Sequence, residues 1–259
     1  MIADFHNHTF LCKHATGTPL QYVEKAIENG CRYFGFSDHA PMDCDPKYRM
    51  NLEQMATYEA MIDEAKHAYA EDITVLCGYE VDFLEGYMKK EVLTRPCDYM
   101  IGSVHFLGGW GFDNPEFIGE YQHRDINEIW QTYFNAITLM AQSGHFDIVG
   151  HLDLIKVFKF LPTKDIRIIA KEAIKAIKKA NLVVEINSAG FRKPIEEQYP
   201  SSLLMEMVAE HDIPITFGSD AHAPEQVGLN SEKITAFAQQ LGYTKCAIFS
   251  ARDRELIKF

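Results

Sequence analysis

Ile2-Ala3-Asp4-Phe5-His6-Asn7-His8 opens the chain as a short apolar run that ends in two histidines separated by one residue. Such a run predicts a buried strand, and residues i and i+2 of a strand point to the same face, so His6 and His8 converge. Far downstream, Asp220-Ala221-His222 repeats this arrangement after a second apolar run. Imidazole and carboxylate groups together suit zinc, iron or manganese. The two motifs therefore predict metal ligands at the ends of two strands.

Between these motifs, apolar runs alternate with amphipathic segments. The predicted strands are Ile2–His6, Tyr33–Asp38, Ile73–Glu80, Tyr99–His105, Ile148–His151, Leu182–Asn187 and Ile213–Ser219, with a last short strand at Cys246–Ser250. Predicted helices are Leu20–Asn29, Leu52–Tyr69, a segment from the N-cap Asp125 to Gln142, a segment capped by Thr163, Ser202–Glu210 and Ser231–Leu241. Repeated βα units with nearly continuous apolar strands predict an α/β protein with a parallel sheet. Seven or eight units favour a closed barrel, and an open doubly wound sheet is the alternative.

Length and composition narrow the class of protein. The 259 residues contain no linker or internal repeat, so one domain covering 1–259 is expected. A formal net charge of −12 argues against a nucleic-acid partner. Without a long apolar run or a signal peptide, no membrane association is expected and a cytoplasmic location is the default. The six scattered cysteines are read as reduced thiols, of which Cys12 is a conceivable metal ligand.

Further histidines and carboxylates fall at the ends of the predicted strands. His14 lies in the first βα loop, His39 follows the second strand, and Glu80, His105 and His151 end the next three. A single histidine at a strand end is usually structural, but the C-terminal ends of barrel strands share one face, where active sites are built. The histidines at 67, 145 and 211 lie elsewhere and are expected to be structural or solvated.

The ligand-type side chains are too numerous for one ion. A catalytic ion takes three or four protein ligands and keeps a position for water. Nine ligands would serve two or three ions joined by a bridging carboxylate: His6, His8, His14, His39, Glu80, His105, His151, Asp220 and His222. Clustered divalent ions activate water and hold phosphoryl oxygens during in-line attack. Phosphoester hydrolysis is therefore favoured over carbonyl chemistry.

In this order, the motifs resemble those of the PHP (polymerase and histidinol phosphatase) metallo-phosphoesterases. The matching elements run from residue 2 to 222 and include Ser37-Asp38-His39, Gly78-Tyr79-Glu80, Gly150-His151-Leu152-Asp153 and Ser219-Asp220-Ala221-His222. The resemblance implies a distorted (β/α)7 TIM-like barrel with three divalent ions, which would be zinc, iron or manganese. By the same resemblance, His6, His8, Glu80 and Asp220 surround one ion. Glu80 then bridges to a second ion at His105 and His151, and His14, His39 and His222 hold the third.

Within that family, the chain length and the segment Glu185–Pro194 resemble the histidinol-phosphatase branch. That branch implies hydrolysis of L-histidinol phosphate to L-histidinol and phosphate in histidine biosynthesis. Ser188-Ala189 departs from a Thr-Ser pair that is frequent in the family, a change that concerns substrate contacts and not metal ligands. The given sequence shows no nuclease or polymerase segment after the barrel, so the polymerase-associated branch is not expected.

The expected mechanism is attack on phosphorus by a water or hydroxide held between two ions. The candidate catalytic residues are Glu80, Asp220 and Arg192. Arg192 is included because a guanidinium binds phosphate bidentately and stays charged. Candidate substrate contacts are Arg192, Lys156 and His123. Asp153 is a candidate acceptor that would orient a ligand histidine, or alternatively a cap of the segment that follows it. Asp38 is a candidate acceptor beside His39.

A small phosphate ester that also carries an ammonium group and an imidazole requires a carboxylate and a flat apolar wall. The Gly- and aromatic-rich segment 106–124 is long for a loop in a compact domain, and we expect it to cover the substrate. The alternative is a surface loop packed on its own aromatic residues.

Three other functions remain open from the sequence. One is a phosphoesterase of the same architecture acting on nucleotides or sugar phosphates. A second is a zinc amidohydrolase, although that class bridges its metals with a lysine after strand four, where this chain has His105. A third is a metal-binding domain without activity, which is disfavoured because no ligand is missing.

Overall fold

A computed structural model describes all residues from 1 to 259. The strands are β1 (Ala3–Asp4), β2 (Tyr33–Phe36), β3 (Thr74–Asp82), β4 (Tyr99–Ser103), β5 (Phe106–Leu107), β6 (Trp110–Gly111), β7 (Ile148–Val149), β8 (Val183–Asn187), β9 (Ile215–Gly218), β10 (Lys245–Ser250) and β11 (Asp253–Lys258). The helices are α1 (Pro19–Glu28), α2 (Met55–Ala68), α3 (Lys90–Leu93), α4 (Ile126–Gln142), α5 (Ile166–Lys179), α6 (Ser202–Glu210) and α7 (Ser231–Gln240). None of these helices is both long enough and apolar enough to cross a bilayer.

Seven parallel strands form the main sheet in the order β1-β2-β3-β4-β7-β8-β9. Its two outer strands approach each other, since the Phe5 N–H donates to the Phe217 carbonyl (3.0 Å) and the His8 N–H to the Ala221 carbonyl (2.9 Å). The sheet is therefore a nearly closed barrel. The predicted α/β barrel with seven strands is confirmed, and the open doubly wound sheet is wrong.

Polar residues at the helix starts explain where the helices begin. Thr18 caps α1 in a reciprocal capping box with Gln21. The Asp125 side chain accepts from the backbone of residues 127 and 128 and caps α4, as predicted. Thr163 does not cap α5; Asp165 has that role, and the Thr163 hydroxyl accepts instead from Asn127 on the preceding helix (2.9 Å). The capping residue was thus placed two positions too early.

The C-terminal end of the chain forms a hairpin, β10–β11, where one strand was predicted. The hairpin lies beside β9, and the Thr216 hydroxyl donates to the Ala247 carbonyl (3.0 Å). Phe249 of the hairpin packs on Phe5 and Tyr99, with ring centroids 6.1 Å and 6.0 Å apart. These aromatic contacts fix the hairpin against the barrel core.

The segment that follows β4 is ordered at the opposite, C-terminal end of the barrel. It contains the small hairpin β5–β6 and a 3-10 helix over Pro115–His123. Trp110 and Phe112 of this segment are buried, and Trp110 packs edge-on against Tyr121. The segment therefore has its own aromatic core while it borders the end where the ligand-type side chains lie.

Candidate active site

The Glu80 carboxylate lies among histidines from several strands. Its Oε1 is 2.9 Å from Nε2 of His151, 3.3 Å from Nε2 of His6 and 3.8 Å from Nε2 of His105. Its Oε2 is 2.9 Å from Nδ1 of His39 and 3.7 Å from Nε2 of His8. The strand β3 delivers this buried side chain to the C-terminal mouth of the barrel, so the two oxygens face different groups of histidines.

The remaining candidate ligands complete a ring around Glu80. Asp220 Oδ1 lies 3.2 Å from Nε2 of His8, and the ring of His222 stacks on His8 at 4.1 Å. Ligand atoms lie within 4.8 Å of one another in the groups His6/His8/Glu80, His6/His151/Asp220, Glu80/His105/His151 and His14/His39/His222. The barrel thus brings all nine predicted ligands together.

Unpaired polar atoms at this centre fit bound metal ions. Nε2 of His6, Nε2 of His8, Nδ1 of His39, Nδ1 of His151 and Oε2 of Glu80 are buried and have no hydrogen-bond partner. Leaving such atoms unpaired away from water is costly, on the order of 1–3 kcal/mol each. Their convergence, together with a donor set of imidazole and carboxylate, is what a site for divalent cations requires.

Carboxylates and carbonyls behind the ligands fix the imidazole rings. Nδ1 of His105 lies 2.6 Å from Asp82, and Nδ1 of His8 lies 3.3 Å from Asp38. Asp38 therefore faces His8, and at His39 it accepts only from the backbone N–H. Asp153 orients no ligand, because its carboxylate accepts from the Ser201 N–H and pairs with a lysine. The expected role of Asp153 is wrong.

Two of these orienting carboxylates were missed in the sequence. Asp82 lies two residues after Glu80 on the same face of β3, and this i, i+2 spacing was an available signal. Glu185 is the one charged residue in the apolar strand β8, and its Oε1 lies 2.7 Å from Nδ1 of His6. A carboxylate that interrupts a buried strand was the signal for the second residue.

The electrostatics of the centre follow from its mixed charges. Burial alone would raise the pKa of Glu80, but His6, His39 and His105 outweigh it and hold the pKa well below its usual range. Burial would lower the pKa of His105, yet Asp82 and then Glu80 raise it to about 10. The carboxylate is therefore ionised and able to act as a ligand at neutral pH.

A cavity of about 500 Å³ opens onto the centre. Its lining includes Arg192 together with Phe106, Asp113 and Phe117 of the segment after β4. The segment that was expected to cover the substrate thus contributes to the cavity lining, and its covering role stays a prediction. Trp110 and Phe112 belong to its buried core and are not part of the cavity wall.

Arg192 is anchored beside one of the ligands. Its Nη2 donates to the Ser219 carbonyl (2.8 Å) and to the Asp220 carbonyl (3.0 Å), and its buried Nη1 has no partner. A half-buried guanidinium that lines the cavity suits an anionic group.

Lys156 and His123 are placed away from the cavity. The Lys156 ammonium is buried and contacts Asp153 (3.1 Å), Glu197 (2.9 Å) and the Gln198 carbonyl (2.7 Å). His123 is exposed at the end of the 3-10 helix and does not line the cavity. Neither residue is placed where the expected substrate contact requires it, because buried partners hold the lysine and the histidine side chain lies on the exposed surface.

His67 and His211 lie outside the centre, whereas Cys12 lies beside it. Nδ1 of His67 and of His211 contacts a carbonyl one turn earlier in its own helix. The Cys12 thiol lies within 4.8 Å of ligand atoms of His8 and His222. Burial, and then the charge of Asp38, raises the pKa of this thiol, which opposes a thiolate ligand.

Comparison with known proteins assigns the family. The family model described as "PHP domain" matches residues 4–189, which is most of the chain, and the model described as "PHP-associated" matches residues 204–230. The chain belongs to the PHP domain family. The predicted family is thereby confirmed.

Curated relatives of this PHP protein include a Deinococcus radiodurans protein named "Probable histidinol-phosphatase". The two are 42% identical over 232 residues, covering 88% of each chain. The "Histidinol-phosphatase" of Bacillus subtilis is 27% identical over 257 residues, covering 87% of this chain and 95% of its own. The similarity extends over nearly the full length of both proteins.

A solved structure has the same fold as this PHP protein. The histidinol phosphate phosphatase of Lactococcus lactis, complexed with zinc, L-histidinol and phosphate, superposes with a TM-score of 0.79. The match covers 98% of both chains at 22% sequence identity. The distorted barrel is therefore shared by both proteins.

Proposed function

We propose that this chain is a metal-dependent phosphomonoesterase that hydrolyses L-histidinol phosphate to L-histidinol and phosphate. The observation that carries the proposal is a ring of nine ligand-type side chains beside the half-buried Arg192, in a chain 42% identical to a protein named as a histidinol-phosphatase. The reaction implies a role in histidine biosynthesis, in the cytoplasm. The substrate is a small phosphate ester, in agreement with a cavity of about 500 Å³.

The ligand groups support three divalent ions, either zinc, iron or manganese. His6, His8, Glu80 and Asp220 would hold the first, Glu80 with His105 and His151 the second, and His14 with His39 and His222 the third. Ions bound there would lower the pKa of a water molecule and neutralise the charge of the phosphoryl oxygens. The structure of the Lactococcus lactis protein of the same fold contains zinc, which supports the use of a divalent metal.

The side chains of this protein would bind and position the ester. Arg192 would hold phosphate oxygens with its free Nη1, because its Nη2 is occupied by two carbonyls. Those carbonyls belong to Ser219 and Asp220, so the same guanidinium would also fix the Asp220 ligand. Glu80 and Asp220 would keep the centre anionic enough to retain divalent ions near the phosphate.

The part of the cavity wall that comes from the segment after β4 offers a partner for the ammonium and the imidazole of the substrate. Asp113 is a half-buried carboxylate on this wall, and burial raises its pKa although His105 opposes the shift. An ammonium group would supply the counter-charge that stabilises its ionised form. Phe106 and Phe117 line the same side and would provide the apolar surface for the imidazole.

Phosphate release from L-histidinol phosphate, glycerol phosphate, a nucleoside monophosphate and p-nitrophenyl phosphate tests the proposal. The kcat/KM for histidinol phosphate should exceed the others, and a chelator should abolish turnover until a divalent ion is restored. Equal kcat/KM values for all esters would contradict the substrate assignment. Full activity after removal of all metal would contradict the reaction mechanism.

A further inference from the structure

The Glu185 side chain contacts residues from two of the groups of candidate ligands. Its Oε1 accepts from Nδ1 of His6 (2.7 Å), while its Oε2 accepts from the His151 backbone N–H (2.8 Å) and from the Asn187 amide (3.1 Å). The carboxylate is 1% exposed, so water does not replace these contacts. Glu185 lies on β8, which is next to β9 in the sheet. His151 follows β7 on one side of this pair of strands, and His6 follows β1 on the other side.

Gly218 on β9 leaves the space that this reach requires. A Cβ at position 218 would lie 1.9 Å from Oε1 of Glu185 and 2.7 Å from Cβ of His6. Both distances are far inside van der Waals contact, and a β-carbon cannot rotate away. The glycine is therefore a steric condition for the hydrogen bond between Glu185 and His6.

The backbone at His151 is held in an unusual conformation by the same carboxylate. Its φ is +20°, which is rare for a residue with a side chain. Glu185 accepts from the N–H of this residue, and the Tyr133 hydroxyl donates to its carbonyl (3.3 Å). The direction of the His151 imidazole toward Glu80 thus depends on Glu185 as well.

We propose that Glu185 is a positioning residue that sets the Nε2 atom of His6 and the backbone of His151 together, and so couples the occupancy of two metal positions. It touches neither substrate nor metal. By accepting a hydrogen bond from the Nδ1–H of His6, it leaves the lone pair on Nε2 directed at Glu80, 3.3 Å away. The inference depends on the metal-dependent function proposed above, but not on the identity of the ester.

Glu185→Gln isolates the effect because it preserves size and reverses one hydrogen bond. The amide oxygen must remain where Oε2 accepts two donors, so the amide NH2 faces Nδ1 of His6. His6 must then carry its proton on Nε2 and cannot offer that atom to a metal. Gly218→Ala reaches the same defect by steric displacement, without changing any polar group.

Metal binding without substrate is the measurement. We expect Glu185→Gln to weaken affinity for zinc or cobalt about 10- to 100-fold in chelator competition, to lose ions after dialysis, and to change the cobalt absorption spectrum. Excess metal should restore turnover. Glu59→Gln is the matched control, since that carboxylate pairs with Arg95 and Tyr79 outside the centre.

Three results would overturn the inference. The first is a Glu185→Gln protein with wild-type metal content, affinity and cobalt spectrum. The second is an equal loss of metal in Glu59→Gln. The third is a wild-type protein that takes up no divalent ion, which would also refute the metal dependence.

A wild-type enzyme that binds metal but does not prefer histidinol phosphate would refute only the substrate assignment. If Gly218→Ala fails to fold, the Gln variant still decides the question.

Discussion

Glu80 and His151 face each other with 2.9 Å between Oε1 and Nε2, although 71 residues separate them in the chain. The second oxygen of Glu80 faces His39 at the same distance. One carboxylate thus borders two histidine groups, which is the geometry that a bridging ligand requires.

Glu80→Gln should remove this bridge. Each ion contributes several kcal/mol to stabilisation of a charged transition state, so kcat should fall by about 10²- to 10⁴-fold. At least two ions should be lost, measured by elemental analysis after dialysis. Wild-type metal content with unchanged turnover would refute the bridging assignment.

Arg192→Ala should weaken capture of the phosphate group. A hydrogen bond to a charged group contributes about 1.5–3 kcal/mol, which corresponds to about 10- to 150-fold in kcat/KM. Arg192→Lys should recover only part of the loss, because one ammonium cannot hold the carbonyls of Ser219 and Asp220 together with the ester. Unchanged kcat and KM for phosphomonoesters would exclude the contact.

Asp113→Asn should act on substrate choice. The loss of its charge should lower kcat/KM for histidinol phosphate about 10- to 150-fold and leave p-nitrophenyl phosphate, which lacks an ammonium, nearly unaffected. Glu116→Gln is the control, because Glu116 is on the same segment but pairs with Lys47 at the exposed mouth (3.4 Å). Equal losses for both esters would assign Asp113 to the folding of the segment.

Metal uptake by chelator-stripped protein should depend on pH. The carboxylates of Asp220 and Asp38 next to its two ring nitrogens outweigh the burial of His8 and raise its pKa to about 9, and the pKa of His105 is about 10. Both must lose a proton to bind an ion, so affinity should rise with pH up to this range, by about tenfold per pH unit for each proton released. Proton release on metal binding in weak buffer measures this dependence. Metal uptake that is independent of pH from 6 to 9 would contradict the prediction.

Lys156→Met should affect stability and not substrate affinity. It leaves the buried Asp153 carboxylate without its cation, a change that typically costs about 3–5 kcal/mol in the free energy of unfolding. Lys159→Met, at an exposed pair with Glu196, should change stability little. A raised KM at unchanged stability would restore Lys156 as a substrate contact.

The residue types at strand ends made the ligands predictable. His6 and His8 share a strand face by their spacing, and parallel strands carry Glu80 and His151 to one end of the barrel. Only the side-chain type and the predicted strand were needed for these residues, so the sequence was sufficient.

Contacts that depend on partners distant in sequence were not predictable in this way. Asp153 and Lys156 follow His151 closely, but they pair with each other and with a segment some forty residues later, so they face away from the cavity. Glu185 reaches His6 only because residue 218 has no side chain. Neighbouring residues in the sequence do not predict either contact, although the buried charge in β8 marks Glu185 as unusual.

The closure of the barrel between β1 and β9 has a consequence during protein synthesis. The predicted ligands extend from His6 to His222, so a growing chain cannot assemble the centre until residue 222 has left the ribosome. Until then, the early histidines would remain exposed to cellular metals. We therefore expect the ions to be loaded only after β9 has closed the barrel.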